Sequence, residues 1–519
     1  MIPSYSNLNE FNAASYFVDR NLDEGRGNHT AVICGDVTLT YAQVAAGVNR
    51  FGNALASLGL RMEDRVALLL PDSEIHPQAF FGAIKIGAAP ICLNTMMRPK
   101  DYAYFLNDSR ARALLVDASL LSVIDPVRDQ LKFLEHLLVV GGEVPEGDVD
   151  FLKLAGRQSG FLKPAPTGPN DVCFWLYSSG STGSPKGTVH LHHDMVFAAE
   201  TYARHILKIN HRDRCFSAAK LFFAYGLGNG LYFPFSVGAA AIYLSDRPTP
   251  KAVFAVIEKH QPTLYFGVPT LYGSMLETPG SLDGVRCCVS AGEALPPELQ
   301  RRWKERFGLA ITDGIGSTEM AHIFISNDGS EPRPGCTGRP VPGYEARIVD
   351  EAMAEVGDGQ VGTLLVKGDS AAAYYWNKHD KTKETMLGEW LNTGDKFYRD
   401  AEGFYYYVGR SNDMLKVGGI WVSPIEVEAS VAEHPAVMEC AVVGAPDAEQ
   451  LIKPKAFVVP RPGFAPTPEL AREIQLFVKA ALAHYKYPRW IEFVEELPKT
   501  KTGKIMRYIL KEQAMKDAA

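Results

Sequence analysis
The residues best equipped for chemistry in this 519-residue chain stand together in the stretch Tyr177-Ser-Ser-Gly-Ser-Thr-Gly-Ser-Pro-Lys-Gly-Thr188. Gly180, Gly183 and Gly187 let the backbone turn without a Cβ and leave amide N–H groups free to point at an anion. Ser178, Ser179, Ser181 and Thr182 add hydroxyl donors, and Lys186 adds one mobile positive charge. Such a set suits the cradling of phosphate. A Walker A loop needs Gly directly before its Lys and Ser or Thr after it, whereas Lys186 lies between Pro185 and Gly187. The dinucleotide fingerprint fails as well, because Gly226-Leu-Gly-Asn-Gly230 is followed by Leu231 where its third Gly belongs. A Ser/Gly run by itself equally describes a polar linker. Lys186 and the apolar Phe174-Trp175-Leu176 ahead of the loop favour a site.

Positioning such a loop takes a scaffold, and the flanking patterns predict one. Phe174-Trp175-Leu176 reads as a buried strand, and Asp194 to Tyr202, with Met195, Ala198, Ala199 and Tyr202 on one face, reads as a helix. Upstream, Thr40 is placed to cap a helix with a buried stripe of Val44, Val48, Phe51, Leu55 and Leu58. A strand over 65–70, a helix over 76–86, a strand over 87–93, a helix over 100–107 and a strand over 113–116 continue the alternation. This predicts an α/β domain, a mostly parallel sheet covered by helices with ligands held at the strand ends. Residues 141–170, rich in Gly, Pro and charge, read as a surface connection. From 346 to 408, short alternating strands with turns at Asp358-Gly359 and Glu402-Gly403 predict an antiparallel β-rich subdomain. Beyond it, strands at 439–443 and 455–459 and a helix at 468–483 predict a small α+β domain. The expected organisation is a large N-terminal domain over 1–411 and a small C-terminal domain over 412–519.

Composition narrows the function classes. Hydrophobic residues at 46% and charged residues at 22% describe an ordinary globular protein rather than a disordered or coiled-coil one. A formal net charge of −7 argues against a general nucleic-acid binder. The N-terminus has no basic segment leading into an apolar core, and no apolar run reaches the ~18 residues of a membrane span. The eight cysteines are scattered without a C-x-x-C pair, as free thiols of a reducing compartment are. These features predict a soluble cytoplasmic protein with no membrane or nucleic-acid partner. They leave the oligomeric state open, a homodimer included.

Several separate segments then resemble one family in the right order. After the opening loop come Gly292-Glu293, Gly316-Ser-Thr-Glu319, Asn392-Thr-Gly-Asp395, Tyr407-Val-Gly-Arg410, Lys416-Val-Gly-Gly419 and Pro498-Lys-Thr-Lys-Thr-Gly-Lys504. Together they resemble the acyl-adenylate-forming superfamily of acyl- and aryl-CoA ligases, adenylation domains and beetle luciferases. The likeness runs from about residue 175 to the end of the chain. Trp175-Leu-Tyr-Ser-Ser-Gly-Ser-Thr-Gly183 and Lys220-Leu-Phe-Phe-Ala-Tyr-Gly-Leu-Gly-Asn229 look most like benzoate-type aryl-CoA ligases.

The resemblance implies activation of an aromatic carboxylate with ATP, followed by transfer of the acyl group to coenzyme A. Both reactants of the first step are anions, so neutralisation of charge and positioning should carry the catalysis. Residues 178–183 and Lys186 would then hold the β- and γ-phosphates, and Thr182 and Glu319 would contact Mg²⁺, a hard ion that prefers oxygen ligands. Gly292, Glu293, Asp313, Gly314, Ser317 and Thr318 would line the AMP site, and Asp395 and Arg410 would hold the ribose. Asp395, after Thr393-Gly394, also suits an ordinary turn carboxylate. Lys504 is the expected adenylation residue, bridging the substrate carboxylate and the α-phosphate. Its neighbours Lys499, Lys501 and Arg507 also allow a solvated basic run.

For the acid, the resemblance points to Ala224, Tyr225, His322 and Ile323, a small residue beside a flat ring that leaves room for one six-membered ring. A lone His such as His322 is also a common satisfied core residue. His190, His192 and His193 look superficially like zinc ligands, but they lie near an expected helix start without a partner Cys or carboxylate set. In this family the small domain rotates between the half-reactions. Lys416, Gly418 and Gly419 would then meet the pantetheine arm, and position 412 would be the hinge. There the chain departs from the usual Asp or Lys by having Asn412, which keeps hydrogen bonding but loses the charge. A stand-alone adenylation enzyme loading a carrier protein is the alternative, and no carrier segment follows Lys504 before Ala519. A nucleotide-binding regulator without catalysis is disfavoured by Glu319, Lys504 and the complete loop.

Overall fold
The computed structural model describes residues 8–178, 184–328, 333, 335–411, 413–417, 420–447, 451–499 and 505–517. Two large sheets carry the N-terminal part. In the first, the strands Ala89–Cys92, Arg65–Leu69, Ala113–Asp117 and His136–Val140 run parallel beside Val172–Ser178. In the second, Thr30–Cys34, Ala240–Tyr243, Arg214–Ser217, Leu264–Gly267, Cys287–Ser290 and Ile311–Gly316 form the parallel half. The strands at 240–243 and 264–267 are buried at every position, the continuous apolar reading required when helices cover both faces.

The helices follow local chemistry. Thr40 accepts the Gln43 N–H while the Gln43 side chain accepts the Thr40 N–H, a reciprocal cap that starts the helix Tyr41–Ser57. Its stripe of Val44, Val48, Phe51 and Leu55 packs into the main core. The helix that begins at Asp194–Ala198 widens into a π-helical stretch over Ala199–Ile206, longer than its apolar face predicts. Residues 141–170 do more than connect, for they contain the short strand Val149–Asp150 and the helix Phe151–Gly156, whose Phe151 is fully buried.

Past Gly316 the second sheet becomes antiparallel. Ile323–Ser326, Cys336–Pro340, Tyr405–Arg410, Trp390–Arg399, Gly362–Lys367 and Glu345–Val349 extend it in that order, so the strands of 346–408 continue the main sheet. The C-terminal domain has its own sheet. Val437–Pro446 pairs antiparallel with Ile452–Pro460, and Trp490–Phe493 lies parallel beside it. The helices Pro424–Ala432 and Pro468–Ala481 cover one apolar cluster and Arg507–Asp517 another, both distinct from the N-terminal cores.

Candidate active site
The opening loop joins two antiparallel strands. Val172–Ser178 pairs with Lys186–Leu191, Ser178 standing opposite Lys186, where the sequence reading expected only a strand followed by a helix. Ser179, Gly180, Ser181, Thr182 and Gly183 lie outside the described residues, but both ends of the loop are fixed. Ser178 Oγ donates to Glu319 Oε1 at 3.2 Å, and Lys186 Nζ stands 4.0 Å from the same oxygen. Tyr375 OH donates to it at 2.7 Å and presents its ring to Lys186 Nζ, 4.2 Å from the centroid. Burial holds the Lys186 ammonium below its ordinary value, opposed by Glu319, while Lys381 and Arg410 add to the lowering. Among the described residues, Glu319 Oε2 carries no hydrogen bond. A carboxylate oxygen beside loop hydroxyls is the donor chemistry a hard divalent cation takes, so these residues fit Mg²⁺.

Glu319 sits on a turn that is held at every carbonyl. Thr318 O accepts from His190 Nε2 at 2.7 Å, Glu319 O from the Ala372 N–H at 2.7 Å, Met320 O from Ser370 Oγ at 2.8 Å and Ala321 O from Tyr232 OH at 3.2 Å. The turn needs holding, because Ala321 has φ +60°, a region that L side chains seldom occupy. Gly316 precedes it, and a Cβ there would lie 2.5 Å from the His322 carbonyl oxygen. Glu319 is thus joined rigidly to His322.

His322 is 2% exposed, with ring centroids of Phe233, Tyr202 and Tyr225 at 4.4, 5.4 and 5.6 Å. Its Nε2 faces the Tyr225 carbonyl at 3.3 Å, so Nε2 carries the proton and Nδ1 keeps its lone pair. Nδ1 is buried without a partner among the described residues, and burial lowers the ring to about 3 despite the Tyr225 bond. Tyr225 OH donates to Val289 O at 3.0 Å, which ties the hydroxyl down. Gly228 makes room for the imidazole, since a Cβ there would lie 2.9 Å from Nε2 and closer still to Cδ2. Ala224 opens the same short helix as Tyr225, and Ile323 starts the strand after His322. Ahead of this helix in the chain, the Leu221 N–H donates to Asp72 at 3.0 Å, and Asp72, 3% exposed, stands 3.7 Å from Lys220 Nζ.

The residues expected to line the AMP site gather at the ends of neighbouring parallel strands. Gly292, with φ +90°, and Glu293 follow Cys287–Ser290, while Asp313 and Gly314 lie in Ile311–Gly316. Burial raises the Asp313 carboxyl well above its ordinary value, and its Oδ1 has no partner among the described residues. Ser317 Oγ is likewise buried and unpartnered there. Asp395 and Arg410 stand opposite each other on adjacent strands, Arg410 Nε 3.0 Å from Asp395 Oδ1, and Arg410 Nη1 donates to Thr393 O at 2.8 Å.

Lys504, Asn412, Gly418 and Gly419 lie outside the described residues, as does the side chain of Lys416. Their surroundings are ordered. Lys499 pairs antiparallel with Ile505, and the Met506 N–H donates to Pro498 O at 2.8 Å, closing the base of the segment that carries Lys504. Lys499 Nζ lies 2.7 Å from Glu439 Oε2 and Arg507 Nη2 lies 2.6 Å from Glu428 Oε2, so these two cations are paired rather than solvated. Lys416 belongs to the strand Leu415–Val417, and the Arg410 carbonyl accepts from the Asp413 and Met414 N–H groups on the far side of position 412.

His190 lies in a strand and not at a helix start. The three histidines are committed separately, His190 to Asp194 and Thr318 O, His192 to the Ala13 N–H and His193 to Pro169 O. Among the described residues no group of three or more His, Cys, Asp or Glu is placed to hold a metal. Sequence reasoning missed Tyr375, Ser370, Asp72 and the role of His190. Each reaches the site from a distant part of the chain, and only the polar His190 within an apolar alternating strand was a usable signal.

Helix-covered sheets, a Lys186–Glu319 ion pair beside a glycine-rich connection and a small C-terminal domain are the architecture of the acyl-adenylate-forming class of enzymes. Within that class the chain belongs to the AMP-binding enzyme family, which residues 18–376 match, with the AMP-binding enzyme C-terminal domain matching 426–504. It is 51% identical over 508 residues to a benzoate–CoA ligase of Thauera aromatica, covering 96% of each chain. It is 44% identical over 516 residues to a 4-hydroxybenzoate–CoA/benzoate–CoA ligase of Rhodopseudomonas palustris, covering 98% of this chain and 95% of the relative. Among solved structures it resembles the anthranilate CoA ligase AuaEII in complex with anthranoyl-AMP, with TM-score 0.95, 43% identity and 99% of each chain covered. A benzoate CoA ligase from Burkholderia xenovorans LB400 matches with TM-score 0.89 and 47% identity, over 96% of this chain and 100% of that one.

Proposed function
We propose that this protein is an aryl-CoA ligase. It activates an aromatic carboxylic acid of the benzoate, hydroxybenzoate or 2-aminobenzoate type with ATP, then passes the acyl group to coenzyme A. The carrying observation is the stretch 313–322, which leads from the Lys186–Glu319 pair to an aromatic-lined histidine. It leaves three buried polar atoms, Asp313 Oδ1, Ser317 Oγ and His322 Nδ1, without partners among the described residues. Buried polar groups left unpaired are costly, so a ligand that supplies their partners is the economical reading. The full-length likeness to benzoate–CoA ligases supports the same reading.

In the first step a carboxylate oxygen attacks the α-phosphorus and pyrophosphate leaves. Ser178, Thr182, Lys186 and the loop amides hold the departing phosphates, and Lys504 screens the two anions from each other. Thr182 and Glu319 would hold Mg²⁺, which when bound would supply positive charge to the phosphates. Asp313 and the Gly292-Glu293 turn receive the base, and Asp395 with Arg410 the ribose. The tied-down hydroxyl of Tyr225 turns only its ring toward the acid, beside Ala224, with Ile323 behind His322. In the second step the thiol of coenzyme A attacks the carbonyl carbon, loses its proton and expels AMP. Residues 412–519 would rotate about Asn412 to bring Lys416, Gly418 and Gly419 toward the pantetheine arm. Eight unpaired cysteines support a reducing compartment such as the cytoplasm.

A panel of aryl acids assayed for AMP release, with free coenzyme A and with a phosphopantetheinylated carrier protein, tests this. Thioester on coenzyme A from at least one simple benzoate is the expected product. Thioester on the carrier alone would replace the proposal by a carrier-loading enzyme, and no AMP with any acid would overturn it.

A further inference from the structure
His190 has no contact with substrate in the steps above, yet it is fully buried between the strand Lys186–Leu191 and the Glu319 turn. Its Nδ1 lies 2.7 Å from Asp194 Oδ2, and its Nε2 lies 2.7 Å from Thr318 O. A carbonyl oxygen only accepts, so Nε2 must donate to it. The ring stacks on Phe174, centroids 4.8 Å apart and planes 11° from parallel, which fixes the orientation that aims Nε2. Asp194 is itself fully buried and its Oδ2 also accepts the Leu191 N–H at 3.1 Å, while Oδ1, 3.2 Å from His193 Nε2, makes no hydrogen bond among the described residues.

We infer that His190, oriented by Asp194, is a positioning residue that sets the Glu319 carboxylate for the metal–nucleotide complex through the Thr318 carbonyl. This rests on the assignment of Glu319 to Mg²⁺. Thr318 is the residue before Glu319, and its carbonyl belongs to the peptide plane whose N–H is that of Glu319, so the bond fixes that plane directly. The phosphate loop and the carboxylate are thereby registered across two sheets, since His190 lies on the strand paired with Val172–Ser178 and Thr318 follows Ile311–Gly316. A donor at the Nε2 position is the feature required. Gln extends an amide nitrogen to that position, whereas Asn reaches only as far as Nδ1.

The test is calorimetric titration of His190→Gln, His190→Asn and Glu319→Gln with ATP in Mg²⁺ and with ATP in excess chelator, in the absence of any acid. The readout is the factor by which Mg²⁺ tightens ATP binding. His190→Gln is expected to keep the wild-type factor and His190→Asn to lose about tenfold of it, as removal of one well-aligned buried hydrogen bond does. Equal factors for the Gln and Asn variants, with Glu319→Gln weakened, would overturn the positioning role alone. An unchanged factor in Glu319→Gln would overturn the metal assignment and this inference with it.

Discussion
Asp72 offers a test that separates burial from ion pairing at the Lys220-Leu221 segment. Its carboxyl is pushed up to about 6, from an ordinary 3.8, by burial, against the opposing pull of Lys220 and the Leu221 N–H. Lys220 does not depend on it, since Nζ also donates to the carbonyls of Leu244, Ser245 and Asp246, the last two at 3.2 and 2.8 Å. An acid whose folded value is raised binds its proton more tightly in the native state. The stabilisation is complete below the unfolded value and is lost as pH rises through the folded one. With values of 3.8 and about 6, Asp72 contributes on the order of 1 kcal/mol at pH 5 and close to nothing at pH 7.5. Asp72→Asn keeps an acceptor for Leu221 and removes the titration. Urea unfolding followed by tryptophan fluorescence at pH 5 and 7.5 should show wild type losing on the order of 1 kcal/mol relative to the variant as pH rises. A constant gap, or a gap that favours wild type at high pH, would show the carboxylate ionised throughout and refute the dominance of burial.

Other outcomes follow from the same geometry. Lys504→Ala should abolish acyl-adenylate formation while largely sparing thioester formation from a supplied adenylate, and equal loss of both would remove its assigned role. Gly228→Ala drives a Cβ against His322, which three aromatic rings confine, so overpacking of roughly 1–3 kcal/mol should raise KM for the acid and, because His322 and Glu319 share one clamped turn, alter KM for ATP as well. Arg507→Met strips the buried Glu428 of its cation at the base of the Lys504 segment. Pyrophosphate exchange should fall several-fold more than thioester formation from the adenylate, and a uniform loss would indicate general destabilisation instead. Asn412→Pro should slow the coenzyme A step far more than exchange, and an unchanged overall rate would argue against rotation there.

Local chemistry is legible where neighbours in sequence decide it. The helix Tyr41–Ser57 announces itself by Thr40, Gln43 and its apolar stripe, and the strands of 65–117 by their uniform burial. The strand Lys186–Leu191 was hidden because a glycine-rich loop with a lysine invites comparison with loops that open directly into helices. The π-helical widening at 199–206 has no signature in side-chain spacing, since α- and π-turns share the same apolar face over so short a run. The donors to the Glu319 turn come from residues 190, 232, 370 and 372, brought together only by sheet topology. Apart from the polar His190 in its apolar strand, no local pattern could have named them. The basic run near Lys504 misled in the other direction, because Lys499 and Arg507 look solvated until Glu439 and Glu428 are seen opposite them.

With the roles proposed for His322 and Glu319, the clamped turn from Thr318 to His322 makes the acid pocket and the metal carboxylate two marks on one stiff ruler. A larger or differently substituted ring that pushes on His322 therefore pushes on Glu319, and selectivity among acids cannot be retuned there without shifting the timing of adenylation. Diversification of substrate range should succeed best through the side chain of Ala224, which takes no part in the hydrogen bonds that hold the turn. Changes at His322 itself should surface first as altered nucleotide kinetics.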